Sequence, residues 1–97
     1  MNINKSAQAN VGGSYSLRVS SNDNSVIIQG QGPDGYVNQS ILFDDPDFDT
    51  KIANMIDAME SFQREKIQLD ANKALANYDE SVKDLKSAVN KMITENQ

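Results

Sequence analysis

The 97-residue chain contains no cysteine, no histidine and no tryptophan, and the first two absences each exclude a class of chemistry. A chain without cysteine has no disulfides, no thiolate nucleophile and no thiolate zinc ligands. A chain without histidine has no Ser-His-Asp triad and no imidazole base or metal ligand. No segment approaches the roughly 20 apolar residues of a membrane-spanning helix. We therefore expect no membrane span and no chemistry based on thiols or imidazoles.

Positive charge is also scarce, because 9 basic side chains face 14 acidic ones and the net charge is −5. Binding to DNA or RNA backbone requires clustered Lys and Arg, so direct nucleic-acid binding is disfavoured. The length supports one small domain, residues 1–97. The first ten residues carry one charge and no apolar run, which is not typical of a targeting segment. We therefore expect a cytoplasmic protein.

Glycine and proline occur only before residue 47, and this limit divides the chain into two halves. Residues 1–13 are small and polar and predict a loose arm. Residues 14–43 predict a three-stranded antiparallel meander, because apolar and polar residues alternate and turn signals separate the strands. In the third strand, 36–43, apolar residues lie at both ends and polar residues lie between them.

The second half predicts helix over residues 46–95, which gives an α+β fold class. Asp45 is the predicted N-cap, because Pro46 then occupies the first helical position, where its missing N–H costs nothing. The apolar stripe is consistent with one long helix, which would expose more apolar surface than the small sheet can cover. A helical hairpin with a turn near residues 69–72 is the alternative.

Part of this stripe has heptad spacing, which predicts a two-stranded coiled coil and a homodimer. The predicted oligomer interface consists of six residues: Leu75, Tyr78, Val82, Leu85, Val89 and Met92. A helix that packs on its own sheet explains the same spacing. One polar residue, Gln63, interrupts the stripe on its N-terminal side.

Three glycines, Gly30, Gly32 and Gly35, match the pattern G-x-G-x-x-G. The dinucleotide-binding version needs a helix directly after the glycines, whereas this sequence predicts a strand there. The kinase version needs catalytic motifs that the chain does not contain. We interpret the pattern as a hairpin turn, whose backbone also offers a surface to a partner.

Four aspartates, Asp44, Asp45, Asp47 and Asp49, lie within six positions and resemble the start of a calcium loop. That loop requires Gly at its sixth position and Glu at its twelfth, which here are Thr50 and Ile56. We therefore consider three interpretations of the four aspartates: helix capping, an acidic contact surface and a weak divalent-ion site. We predict no cofactor, no bound metal and no catalytic constellation, and hence no enzyme.

The chain joins a glycine-turned β meander, an Asp-rich junction and a terminal helical region in a short acidic sequence. In size, charge and order of elements it resembles small phage-encoded inhibitors, including some type II anti-CRISPR proteins. The resemblance implies a stoichiometric inhibitor that occupies the nucleic-acid-binding surface of a host defence enzyme. Such an inhibitor would act in the host cytoplasm.

The leading hypothesis is therefore a non-enzymatic protein-binding module, in its specific form a phage-type inhibitor. The predicted partner-binding residues are acidic or lie in turns: Asp44, Asp45, Asp47, Asp49, Asn22, Asp23 and Asp34. The alternative is a homo-oligomeric structural or assembly protein that associates through the heptad residues.

Overall fold

Four β-strands are followed by two α-helices in the computed structural model, which describes residues 3–10, 14–33, 35–68 and 72–96. The elements are β1 Asn4–Asn10, β2 Ser14–Ser21, β3 Ser25–Gly32, β4 Gly35–Leu42, α1 Phe48–Gln68 and α2 Asn72–Asn96. The α+β class predicted from the sequence is confirmed. Neither described helix is both long and apolar enough to cross a membrane.

The strands form one antiparallel sheet in the order β1-β2-β3-β4, and each strand pairs with the next along the chain. The register is unbroken in all three pairs. Because side chains alternate between the two faces of a sheet, the apolar positions of β2 and β3 collect on one face. Leu17, Val19 and Ile28 lie there with no exposed surface.

Both helices cover this apolar face. α1 crosses β2, β3 and β4, whereas α2 lies mainly on β1 and also touches β2. Each helix contributes one stripe to a shared core, as expected for an amphipathic helix on a sheet. The buried helical residues include Ile52, Ile56, Ile67, Tyr78, Val82, Leu85, Val89 and Met92.

The predicted loose arm over residues 1–13 is wrong for residues 4–10, which form β1. Residues 11–13 lie outside the described part. Ala7 and Ala9 face the core with 1% and 6% exposure, and small side chains at an edge strand let α2 lie close to the sheet. The sheet therefore has four strands and not three, and it covers more helical surface than the sequence predicted.

The predicted long helix is wrong as well, because α1 ends at Gln68 and α2 begins at Asn72. The proposed turn at 69–72 falls largely outside the described residues. Cross-helix ion pairs establish that the helices run antiparallel: Arg64 binds Asp79 at 2.7 Å, and Lys86 binds Glu60 at 2.7 Å. These pairs are partly exposed and so contribute little individually. The hairpin alternative is the observed arrangement.

The predicted coiled-coil interface also needs correction. Tyr78, Val82 and Leu85 are at most 1% exposed, and Val89 and Met92 are 3% and 4% exposed. They are covered by this chain's own sheet and α1, and the half-buried Leu75 packs against the same core. A second helix cannot pair through these residues without unpacking the core, so the heptad spacing serves packing within one chain.

We expect Leu85→Ala to lower the free energy of unfolding by about 2–5 kcal/mol, because it leaves a cavity in the core. The control is Phe62→Ala, which removes a side chain that is 58% exposed and should change stability by less than about 0.5 kcal/mol. Urea denaturation and light scattering would measure both. A stable L85A variant with half the native mass would place Leu85 between two copies instead.

Candidate functional site

An apolar groove of about 490 Å³ lies between α1 and the end of the β3–β4 hairpin. The side chains that form most of its wall are Tyr15, Val37, Met55, Met59 and Phe62. Two of them are largely exposed although they are apolar: Val37 is 50% and Phe62 is 58% exposed. An apolar concavity with exposed hydrophobic walls is typical of binding sites.

Two glycines of the G-x-G-x-x-G pattern give the groove its floor. A Cβ atom on Gly30 would lie 3.2 Å from the Met59 sulfur, so the missing side chain lets α1 approach β3 closely. A Cβ on Gly32 would lie 3.2 Å from the Tyr15 ring, which covers that glycine from the neighbouring strand. Gly30 therefore allows the helix to pack closely on the sheet, and Gly32 leaves room for the Tyr15 ring. The glycines have this packing role in addition to the predicted hairpin turn.

The polar residue that interrupts the apolar stripe, Gln63, closes the inner end of the groove and is 4% exposed. Its Nε2 donates to the carbonyl oxygens of Ser16 at 2.6 Å and Gln31 at 3.3 Å. Its Oε1 accepts a hydrogen bond from the Tyr78 hydroxyl at 2.5 Å. One amide thus connects both helices to the two central strands.

Burial raises the pKa of the Tyr78 phenol, mainly through loss of water around its charged form. The hydroxyl therefore remains a protonated donor to Gln63 throughout the neutral pH range. This network explains why a polar side chain occupies a core position: every polar atom that it buries has a partner. Among the described residues, no buried side-chain nitrogen or oxygen lacks one.

Strand β4 forms the lip of the groove and is an open edge of the sheet. All of its residues from Gly35 to Ser40 are exposed, on both faces, and Ile41 is its one buried residue. Edge strands are usually protected by Lys, Pro, a bulge or a covering element, since unpaired backbone groups attract another strand. None of these devices occurs in β4, whose register is regular and whose residues 35–42 carry no charge.

The opposite edge, β1, is protected. Lys5 pairs with Val19 across the sheet and therefore lies on the inner face at that edge. An inward-pointing charge at an edge is one of the devices that prevent a further strand from pairing. The helix α2 also covers β1. The two edges of this sheet thus differ in how freely they can accept another strand.

The predicted acidic surface forms at the far end of the sheet from the groove. The Phe43 N–H donates to the Asn24 carbonyl at 3.0 Å, which brings the β2–β3 turn beside the β4–α1 link. Asp23 and Asp44 are both exposed at this end. The structure thus brings together residues that are about twenty positions apart in the sequence.

Two of the predicted contact residues have structural roles at this acidic end. Asn22 Oδ1 accepts from the backbone N–H groups of Asn24 and Ser25, both at 2.8 Å, and so holds the β2–β3 turn. Asp45 accepts from the Asp47 N–H at 2.8 Å and binds Lys51 at 2.6 Å. The hydrogen bond from Lys51 lowers the pKa of the Asp45 carboxyl below its usual value.

Asp45 is not the N-cap that the sequence predicted, since α1 begins at Phe48 and the Asp47 carbonyl accepts the first helical hydrogen bond, from Lys51. The side chains of Asp47 and Asp49 are exposed at the start of the helix, where the helix dipole favours negative charge. Asp34 lies outside the described residues. No group of three metal-ligating side chains forms among the residues that the structure describes.

The groove could not be predicted from the sequence, because its walls come from three separate segments that only the tertiary fold brings together. Two signals pointed to it. Phe62 lies off the apolar stripe of α1, and the G-x-G-x-x-G pattern marked a hairpin whose backbone was free for a partner. Neither signal reports how far β4 extends beyond the helices, which is what leaves the groove open.

We expect the hydrogen bonds of Gln63 to be measurable by a double-mutant cycle in urea denaturation. Tyr78→Phe should cost about 1–2 kcal/mol and Gln63→Leu about 2–3 kcal/mol, because each leaves buried polar partners unsatisfied. The double variant should cost less than the sum, since the unsatisfied Tyr78–Gln63 pair is then removed as a whole. Strict additivity would contradict this network.

Comparison with protein-family models, with curated proteins and with solved structures found no match for this chain. Its function is therefore inferred from its own surfaces, which are the apolar groove with the open β4 edge and the acidic end.

Proposed function

We propose that this chain is a non-enzymatic protein-binding module, and that it binds through the β4 edge and the adjoining groove. The observation that carries the proposal is the exposure of Val37 and Phe62 beside an unprotected edge strand. An extended segment of a partner can pair its backbone with such an edge and place alternate side chains in the groove, as in recognition by strand addition.

The groove favours apolar side chains in that partner. Its walls are thioether, aromatic and aliphatic groups, and the Lys66 ammonium lies 5.6 Å above the Phe62 ring at its rim. The backbone would supply affinity and the groove would supply selection for an apolar residue at every second position. The module has a net charge of −5, which favours partners with basic flanks.

We expect the chain, immobilised at low density so that copies do not meet, to select extended apolar peptides from a displayed library. Val37→Lys should weaken binding of the selected peptides at least tenfold, because it places a charge in the groove. The matched control is Gln8→Lys, which adds the same charge to the exposed outer face of β1. Failure to select any peptide, or equal binding by V37K, would contradict peptide binding at this surface.

A second, more specific candidate is a phage-type inhibitor of a host defence nuclease, which the layout of the sequence suggested. What supports it is the acidic end, where the β2–β3 turn that carries Asp23 lies beside the link that carries Asp44 and Asp47. Carboxylates gathered at one end of a small protein can occupy a basic surface that normally binds phosphate. Association driven by these charges is fast and is weakened by salt.

If the acidic end acts in this way, the purified chain should inhibit DNA cleavage by a type II CRISPR nuclease. Replacing Asp23, Asp44 and Asp47 by Lys should abolish the inhibition, and replacing them by Asn should weaken it at low salt more than at high salt. Within the described part of the chain, the side chains of these three aspartates make no hydrogen bond, so the fold should be retained. Inhibition that survives the Lys replacements would rule out this surface.

The predicted interface of the homo-oligomeric alternative is not available, because five of the six heptad residues are buried in the chain's own core and Leu75 packs against it. Self-association would have to use another surface.

A further inference from the structure

We propose that the partner at the β4 edge is a second copy of this chain, which pairs β4 with β4 around a two-fold axis and forms a continuous eight-stranded sheet. This inference rests on the proposed function, because it names the occupant of the same edge and groove. It is carried by the residue order of β4, by the geometry of the helices above it and by the contrast between the two sheet edges.

The polarity of β4 reads the same in both directions. Tyr36 and Val37 are apolar, the next three residues are polar and uncharged, and Ile41 and Leu42 are apolar. In an antiparallel pair with Gln39 opposite Gln39, Tyr36 of each copy faces Leu42 of the other, and Val37 faces Ile41. Cross-strand pairs of an aromatic with an aliphatic residue, and of two aliphatic residues, stabilise a sheet.

The side-chain faces agree with this register. The pairing of β3 with β4 places Val37, Gln39 and Ile41 on the helix-facing side, opposite Gly30, Ile28 and Val26. Tyr36 and Leu42 therefore point to the outer side, where they are 56% and 55% exposed, although both are large and apolar. Self-pairing covers these two together, which a ligand confined to the groove would not do.

The space above the joined strands fits two copies of α1. With the axis perpendicular to the sheet, both helical layers lie on the same side. The central strand beneath α1 is β3, and three strand spacings, about 14 Å, would separate β3 from its symmetry mate. A helix with its side chains is about 10–12 Å wide, so the two helices fit side by side with a narrow gap. Phe62 lies beside Val37 in the groove and would fill this gap.

Charge and closure favour a dimer over larger assemblies. Each copy has a net charge of −5, but no charged residue lies in β4. Pairing β4 with β4 therefore brings no like charges together in the joined strands. The outer edges of the eight-stranded sheet would be the two β1 strands, and each is protected by its inward-facing Lys5 and by α2. The assembly thus closes at two copies, as an interface that uses the same surface on both partners requires.

The test measures mass by light scattering and sedimentation from micromolar to millimolar concentration. The wild-type chain should approach twice its mass of 10.7 kDa as concentration rises. Gln39→Lys should remain monomeric, since it places two lysines opposite each other at the axis, whereas the control Gln8→Lys on the other edge should dimerise like the wild type. Gln39→Glu should also be monomeric alone, but an equal mixture of Q39K and Q39E should recover the dimer.

The register has its own test, because the natural chain contains no cysteine. Residues directly opposite in an antiparallel pair have the Cα separation that a disulfide requires. Gln39→Cys should therefore form a disulfide-linked dimer on mild oxidation, and Gln8→Cys should not.

A chain that stays monomeric up to millimolar concentration would overturn the proposal, as would Q39K dimerising like the wild type. Selection of peptides by a monomeric chain would then leave the β4 edge as a site for another polypeptide and preserve the proposed function. A wild-type dimer that fails to select peptides would support pairing of β4 with β4 and would contradict peptide binding at this edge.

Discussion

The structure depends on burying two helices against one face of a single antiparallel sheet. Leu17, Val19 and Ile28 have no exposed surface because α1 and α2 lie over them. The other face remains polar, with serine, asparagine and glutamine at most of its positions. Since only one face is covered, the position of the helices along the sheet decides which strand stays open. The helices cover β1, the two central strands and Ile41 of β4, and the rest of β4 is left exposed.

Gln63 fixes that position. An amide buried among apolar residues is costly unless all of its groups are bonded, and Gln63 is satisfied only when its α1 face meets the carbonyls of Ser16 and Gln31 and the hydroxyl of Tyr78. Sliding α1 by one turn would break these bonds at once. The apolar stripes provide most of the burial, and this one polar residue selects a single arrangement among the ones that apolar contacts would permit.

Much of the fold could be predicted from the sequence, and the misses have physical causes. The strands β2 to β4 follow from alternation and turn residues. Strand β1 was missed because Asn4–Asn10 contains no β-branched or aromatic residue, and its inner face consists of Lys5, Ala7 and Ala9. The heptad spacing of α2 was a true signal of a buried face, but spacing alone does not distinguish a partner helix from the chain's own sheet. The acidic end was predicted in part, whereas the groove was not, because it arises from where α1 stops covering β4.

The contact between β1 and α2 has one more consequence. It joins the first strand of the described fold to its last helix, so the hydrophobic layer is completed by segments at opposite ends of the sequence. During synthesis β1 emerges first and has no cover until α2 has been made. The apolar face of the β meander therefore stays exposed to water during synthesis. Cooperative folding is delayed until α2 has been translated.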